Sequence, residues 1–65
     1  MHRNAVVVSN GKGQLWAQVA AGGEYVAWMI TDQDAERFRL REYDEIVIEG
    51  SPKDQFCRVV KLVEE

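Results

Sequence analysis

The sequence is poor in the residues that build metal sites and reaction centres. Its 65 residues include one cysteine, one histidine and one proline. A single cysteine cannot form an internal disulfide, and with one histidine it gives too few ligands for a metal site based on nitrogen and sulfur donors. We therefore expect no metal and no cofactor. Because no disulfide framework is present, we also expect a reducing, cytoplasmic location.

Long apolar runs are missing as well. No stretch approaches the roughly 20 apolar residues that a membrane span requires, and the start MHRNAVVVSNGKG lacks a signal-peptide cleavage pattern. The pattern thus predicts one mature, soluble domain covering residues 1–65, which would bury only about 60% of the surface of its unfolded chain. No nucleophile–base pair, phosphate-binding glycine loop or paired-carboxylate motif is present in the sequence, so we predict that the protein is not an enzyme.

The net charge of −3 is unevenly distributed along this small acidic protein. Residues 24–50 hold eight acidic and three basic residues, a net charge of −5, whereas the remainder holds five basic and three acidic residues, a net charge of +2. Phosphate contacts supply most of the affinity of nucleic-acid-binding proteins, so the overall balance argues mildly against that role. The five basic residues outside the acidic segment are still compatible with one positive surface. They are Arg3, Lys12, Lys53, Arg58 and Lys61.

Alternating apolar and polar residues predict β-strands on both sides of a central segment. Residues 5–9 contain a run of three β-branched valines, and SNGKG at the end of this stretch favours a hairpin turn. Residues 14–20 and 45–49 alternate with a period of two, and residues 56–63 form a last strand with Cys57, Val59 and Val63 on one side. Residues 24–30 are apolar on both faces, which predicts a central strand covered on both sides.

The segment ITDQDAERFRLREYDEI, residues 30–46, does not alternate. Thr31 is a suitable N-cap and two aspartates follow in the first turn, so we predict a helix over residues 32 to about 39. Ala35 and Phe38 share one face and would cover an opening of the core. A helix between the third and fourth strands favours the OB-fold over an SH3-like barrel. The predicted fold is therefore all-β, a five-stranded OB-fold-like barrel with one short helix.

At family level, the order GEYVAWMIT, helical segment, LREYDEIVIE, Pro-Lys-Asp turn and Arg-Val-Val strand resembles bacterial translation initiation factor one over nearly the whole chain. This resemblance implies an OB-fold that binds RNA without catalysis. Residues 22–48 are also similar to small molybdate-binding (Mop-like) domains, which have a Gly-Gly turn, a strand ending in Ile-Thr, a short helix and an Asp-x-Val strand. Glu49, Gly50 and Ser51 depart from the lysine and small residues that those domains carry after the fourth strand.

One face of the predicted barrel is the candidate nucleic-acid-binding surface. Trp16 lies between Gln14 and Gln18 on the polar side of its strand, and an exposed indole there suits stacking on a base. Tyr25 is predicted to neighbour that side, half exposed. The positive residues lie in the two loops that flank the ligand face of an OB-fold and on the last strand. The predicted site residues are Lys12, Trp16, Tyr25, Lys53, Arg58 and Lys61, whereas Trp28 and Cys57 are predicted to be core residues.

Three functions remain open from the sequence. The first is binding of RNA or single-stranded DNA by this face. The second is a protein–protein adaptor or inhibitor, in which the acidic segment 24–50 docks a basic protein partner. The third is binding of a small oxyanion by an oligomer, as the molybdate-binding resemblance implies. The arginines of the helical segment, Arg37, Arg39 and Arg41, alternate with acidic residues and are interpreted as a solvated face.

Overall fold

The computed structural model describes residues 2–63 and contains, in that range, five strands and one helix. The elements are β1 (His2–Ser9), β2 (Leu15–Ala21), β3 (Glu24–Met29), α1 (Asp32–Arg37), β4 (Glu45–Glu49) and β5 (Arg58–Leu62). The prediction of an all-β fold with a short helix between the third and fourth strands is confirmed.

The five strands form one antiparallel sheet in the order β3-β2-β1-β4-β5. The sheet is not closed into a barrel by a continuous ladder. Its two edges touch at one parallel bridge, between Met29 at the end of β3 and Phe56 just before β5. The N–H of Met29 donates to the carbonyl of Gln55 at 2.9 Å, and the N–H of Cys57 donates to the carbonyl of Met29 at 3.2 Å.

A side chain of the helix ends this contact between the two sheet edges. After the N–H of Cys57, the next N–H that points towards this edge is that of Val59. It donates to Asp34 Oδ2 of α1 at 3.0 Å instead of to β3. Because alternate residues of a strand point their N–H groups to the same edge, the carboxylate takes the position that a further ladder bond would need. The helix thus replaces β3 as the hydrogen-bond partner at the edge of β5.

The core lies beneath one face of the sheet. Its largest fully buried side chains are Trp28, Ile46, Ile48, Val7 and Val59. The indole Nε1 of Trp28 donates to the carbonyl of Ser51 at 3.0 Å. A Cβ at position 50 would lie 3.1 Å from that ring, so Gly50 permits the close approach. The predicted core positions of Trp28 and Cys57 are confirmed, since they leave 2% and 4% of their surface exposed.

Local signals set the β1–β2 turn and the start of α1. Gly11 and Gly13 adopt φ values of +80° and +86°, which suit glycine, and Asn10 Oδ1 accepts the N–H of Lys12 at 2.8 Å. The predicted hairpin is therefore confirmed. Thr31 is the N-cap, since its Oγ1 accepts the N–H of Asp34 at 3.1 Å.

The helix ends at Arg37, two residues earlier than predicted. Phe38 forms the C-cap and Arg39 takes a left-handed φ of +50°, so the helical backbone cannot continue. Ala35 and Phe38 are partly buried against the core and Leu40 is buried, as the prediction of a covering helix requires.

The predictions for β3 and β1 need correction. β3 is an edge strand rather than a central one, and only Trp28 within it is buried. Tyr25 and Val26 leave 72% and 38% of their surface exposed, because the outer half of the β2–β3 hairpin extends past the core. β1 starts at His2 rather than at residue 5, since its first residues pair with the end of β4, with His2 opposite Glu49.

The predicted alternation of β5 is wrong in its second half. Ile48 pairs with Val59 and Ile46 pairs with Leu62, so the register shifts by one residue within β5. A bulge of this kind reverses the faces that follow it. Leu62 consequently packs against the core, while Val63, which alternation placed inward, leaves 39% of its surface exposed.

The hydrogen bond between Asp34 and Val59 should make a measurable contribution to the free energy of unfolding. We expect Asp34→Ala to lower the free energy of unfolding by about 1–3 kcal/mol, because the N–H of buried Val59 loses its acceptor. Asp32→Ala is the matched control, since it removes the other acidic residue of the first helical turn. The control should cost only about 0.3–1 kcal/mol. Equal losses in denaturant titrations of the two variants would contradict the role of the Asp34–Val59 bond.

Candidate nucleic-acid interface

Three large side chains lie next to each other on the outer face of the sheet. Trp16 of β2 pairs with Met29 of β3, and Met29 is bridged to Phe56. Residues that pair directly across neighbouring strands project to the same face, about 5 Å apart. Trp16, Met29 and Phe56 therefore form a continuous strip, which we name the aromatic row. Gln14 contacts its centre, with Nε2 at 3.2 Å from Met29 Sδ.

The aromatic row is accessible but not fully exposed. Phe56 leaves 45% of its surface exposed. Trp16 is half-buried, which corrects the prediction of an exposed, isolated indole. It pairs with Val8 on one side and Met29 on the other, so its neighbours on both strands cover part of the ring. Such partial packing restricts the indole while leaving part of it accessible to a ligand.

Tyr25 shares the outer face but lies away from the row. It pairs with Ala20, which has the same orientation as Trp16 on β2. Tyr25 lies four positions before Met29 along β3, a distance of about 13 Å in an extended strand. With 72% of its surface exposed, Tyr25 is more accessible than predicted and stands near the tip of the hairpin.

The two predicted loop lysines lie close in the chain to opposite ends of the aromatic row. Lys12 is exposed in the turn that joins β1 to β2, four residues before Trp16. Lys53 is exposed in the loop between β4 and β5, three residues before Phe56. That loop is tied down by the bond from the N–H of Ser51 to Asp54 Oδ2, at 3.2 Å, and by the contact of its end with Met29.

Arg58 follows Phe56 on the same side of its strand, but its charge is compensated. Its Nε donates to Glu49 Oε1 at 3.0 Å, and its Nη2 donates to the same oxygen. The other carboxylate oxygen lies 3.0 Å from Nε2 of His2. The hydrogen bond from Arg58 is the main reason why the pKa of Glu49 lies below its ordinary value, with His2 contributing in the same direction. Arg58 is therefore engaged within the protein.

Lys61 is not brought to the aromatic row. It pairs with Val47 on the outer face of β4, and it lies five positions after Phe56, about 16 Å away in an extended strand. With Asn4 and Val63 it lines a separate shallow depression of about 370 Å³. Of the six predicted residues, the structure thus places Trp16 in the row and Lys12 and Lys53 in the loops beside it, whereas Lys61 belongs to another part of the surface.

An open groove of about 550 Å³ borders the row at Phe56. Cys57 lines it as a buried thiol, and burial raises its pKa to about 11. Since the thiolate is the reactive form of cysteine, this side chain is a poor nucleophile at neutral pH. The remaining lining residues are Glu49, Gly50, Ser51, Asp54, Phe56 and Arg58.

Phe56 is the residue that the sequence-based prediction of the site missed. Alternation with Cys57 indicated that it projects away from the core, on the side of Arg58. What makes it part of the site is the bridge to Met29, a contact between residues 27 positions apart. A pattern confined to one strand carries no information about such a contact.

Comparisons of the chain with protein-family models, with curated protein sequences and with solved structures give no match. Within the described residues, no group of three or more histidine, cysteine, aspartate or glutamate side chains is arranged to hold a metal ion. The helix found in residues 2–63 is too short to cross a membrane.

The Glu49 cluster predicts a pH dependence of stability. A carboxylate whose pKa is lowered on folding stabilises the protein above its unfolded pKa, here 4.5, and loses that contribution as the pH falls through the folded value. We expect the stability difference between the wild type and Glu49→Gln, measured by denaturant titration, to be present at about pH 7 and to shrink towards about pH 3. A difference that is the same at both pH values would contradict this coupling.

Proposed function

We propose that the protein is a non-enzymatic, OB-fold-like module that binds RNA or single-stranded DNA through the aromatic row. The strand order and the position of α1 support an OB-like arrangement. The Met29–Phe56 bridge adds to this, since β3 and β5 are the two edges that must meet for a sheet of this order to close. An OB-fold binds its ligand on the face of strands two and three, between the loops that here carry Lys12 and Lys53.

The observation that carries the proposal is the juxtaposition of Trp16 and Phe56 on the outer face. With Met29 between them, the two rings are separated by two strand spacings, about 10 Å. Each ring can stack on a base, and the polarisable thioether of Met29 fills the space between them. Stacking of this kind requires bases that are free of a partner strand, so we favour single-stranded nucleic acid over a duplex.

The charges around the row favour weak binding that depends strongly on salt. Lys12 and Lys53 provide positive charge from two loops, whereas Arg58 is neutralised by Glu49. Each phosphate contact to a single strand changes the slope of log K against log salt by about 0.7. Stacking, worth about 1–3 kcal/mol per base, then supplies a large share of the affinity. An affinity that depends largely on stacking, with few phosphate contacts, suits a protein of net charge −3.

A second candidate is docking of a basic protein partner on the acidic segment. Tyr43 favours it, because this side chain leaves 73% of its surface exposed and lies between Glu42 and Asp44. Exposed tyrosines are frequent anchors of protein interfaces. The arginines of the same segment partly offset its charge, so the aromatic row remains the better-supported surface. The oxyanion function is not proposed, since Glu49 places a carboxylate beside Arg58.

The aromatic row can be tested by titrating a fluorescently labelled short single-stranded oligonucleotide at low salt and following its anisotropy. We expect Trp16→Ala to weaken binding about 5- to 150-fold, the equivalent of one lost stacking contact of about 1–3 kcal/mol. Trp16→Phe should retain most of the affinity, because it keeps a ring at that position. Trp28, which is buried, reports by its own fluorescence that each variant is folded.

Substitution of the two loop lysines tests the electrostatic contribution to binding in the same experiment. Lys12→Gln and Lys53→Gln should each lower the salt slope by about 0.7, whereas Arg37→Gln, which removes a charge from α1, should not. If the oligonucleotide does not bind, or if binding changes with neither salt nor Trp16→Ala, the proposed function is wrong. The acidic segment then becomes the leading candidate surface.

Breaking the Glu49–Arg58 pair is expected to strengthen oligonucleotide binding, in contrast to the variants above, which are expected to weaken it. Glu49→Gln should tighten oligonucleotide binding about 3- to 10-fold at low salt and raise the salt slope by about 0.7, because Arg58 becomes available to a phosphate. Glu45→Gln is the matched control. It removes the same charge from the same strand, but no ion pair involves Glu45 within residues 2–63. Equal effects of the two variants would show that only net charge matters.

A further inference from the structure

His2, Glu49 and Arg58 form a second row of paired residues on the outer face, which we name the charged row. His2 of β1 lies opposite Glu49 of β4, and Glu49 lies opposite Arg58 of β5. Residues that pair directly project to the same face, about 5 Å apart. Arg58 follows Phe56 by two positions, about 7 Å along an extended strand. The charged row therefore lies beside the end of the aromatic row, and two of its members line the groove at Phe56.

The carboxylate of Glu49 is shared by its two neighbours. Its Oε1 accepts from Nε and Nη2 of Arg58, and its Oε2 lies 3.0 Å from Nε2 of His2. An ionised carboxylate can only accept hydrogen bonds, so Nε2 of His2 is the protonated nitrogen in this contact. The lone pair of Nδ1 is then the position at which the ring takes up a second proton. Proton uptake keeps the bond to Glu49 and makes it an ion pair.

Protonation of His2 changes the net charge of the charged row. While the imidazole is neutral, the charges of Arg58 and Glu49 cancel. When the imidazole is protonated, two positive charges face one negative charge, and the row has a net charge of +1. The sequence contains one histidine, and histidine is the side chain whose charge ordinarily changes between about pH 5 and 8. Burial raises the pKa of Cys57 to about 11, so this thiol stays neutral in that range.

Five further charged side chains belong to the elements around His2, and none of them forms an ion pair within residues 2–63. They are Arg3 of β1, Glu45 of β4, Lys61 of β5, and Lys53 and Asp54 of the β4–β5 loop. Arg3 projects to the other side of the sheet, where its Cζ lies 5.9 Å from the centre of the Trp28 ring. Carboxylate, ammonium and guanidinium groups ordinarily keep their charges between about pH 5.5 and 8. Among residues 2–63, a change in the charge of this surface over that range therefore depends on His2.

We propose that proton uptake by His2 strengthens nucleic-acid binding at the aromatic row, so that the affinity rises as the pH falls from about 8 to about 5.5. This inference rests on the proposed function. A strand whose base stacks on Phe56 brings its phosphates near Arg58, two positions further along. With His2 neutral, Glu49 cancels the charge that Arg58 offers to a phosphate. With His2 charged, one carboxylate is shared between two cations, and net positive charge remains for the phosphate.

One additional charge produces a modest effect that depends on salt. We expect the affinity at low salt to be about 3- to 10-fold higher at about pH 5.5 than at about pH 8, and the salt slope to be higher by up to about 0.7. The difference should disappear at about 1 M salt, where charges are screened over about 3 Å. Glu49 stays ionised throughout, because its pKa lies below its ordinary value of 4.5.

Anisotropy titrations of a labelled thymidine oligonucleotide at about pH 8 and about pH 5.5, at constant ionic strength, test the proposal. Neither thymine nor the phosphodiester titrates in this range, and the label is one that is insensitive to pH. His2→Gln should bind as the wild type does at the higher pH and should show no gain at the lower pH. The double variant His2→Gln with Gln33→His is the matched control, since it restores one histidine at an exposed position of α1. Its affinity should remain independent of pH.

Linkage gives a second measurement on the same site. If protonation tightens binding by a given factor, the bound oligonucleotide favours protonation of His2 by the same factor. The ring-proton NMR signals of His2 should therefore titrate about 0.5–1 pH unit higher when the oligonucleotide is saturating. Circular dichroism verifies that each variant is folded.

The possible results separate this inference from the proposed function. Binding that is weakened by Trp16→Ala but equal at both pH values, or a pH dependence that survives in His2→Gln, overturns the role of His2 and leaves the proposed function standing. A gain at the lower pH in the double variant overturns it as well, because net charge alone would then explain the effect. If the wild type binds no oligonucleotide at either pH, the proposed function fails, and this inference fails with it.

Discussion

The contact of the Met29 backbone with Gln55 and Cys57 determines the main features of this molecule. It is the one place within residues 2–63 where the two edges of the sheet are hydrogen-bonded to each other. Because Met29 already pairs with Trp16, the same contact brings Phe56 into line with the indole. It also occupies the outward groups of β3 only at the end of the strand. The aromatic row and the unpaired part of the β3 edge therefore have a common origin.

Trp28 and Asp34 position the contact between the two edges and limit how many residues it involves. The indole of Trp28 packs beneath Gly50 and donates to Ser51, which fixes the start of the loop that leads to Phe56. Asp34 binds the N–H of Val59, the group that would otherwise extend the pairing. One buried side chain thus brings the loop towards β3, and one helical carboxylate limits how far the two edges join. The core and the helix both act on the geometry of the outer face.

The sequence predicted what depends on neighbouring residues. Thr31 as N-cap, the Asn10–Gly11 turn and the inward positions of Ile46 and Ile48 follow from local backbone preferences and a period of two, and all are found. The sequence-based prediction failed where the structure depends on contacts between residues that are distant in the sequence. Residues 24–30 are apolar on both faces, yet β3 is an edge strand, because apolar composition does not reveal whether a partner exists. Likewise, the bulge that turns Leu62 inward depends on the pairing with β4.

Charge placement separates the two candidate surfaces. On the outer face, Glu49 binds Arg58 and leaves the exposed Lys12 and Lys53 as the cations nearest in sequence to the aromatic row. The proposed ligand would gain more from stacking than from phosphate contacts, which is compatible with the acidic composition that argued against nucleic acid at first. On the acidic segment, the arginines offset part of the negative charge, and Tyr43 is the most exposed of the large apolar side chains. A site with more packed aromatic surface needs less net charge, which is why the aromatic row is the surface that we propose for binding.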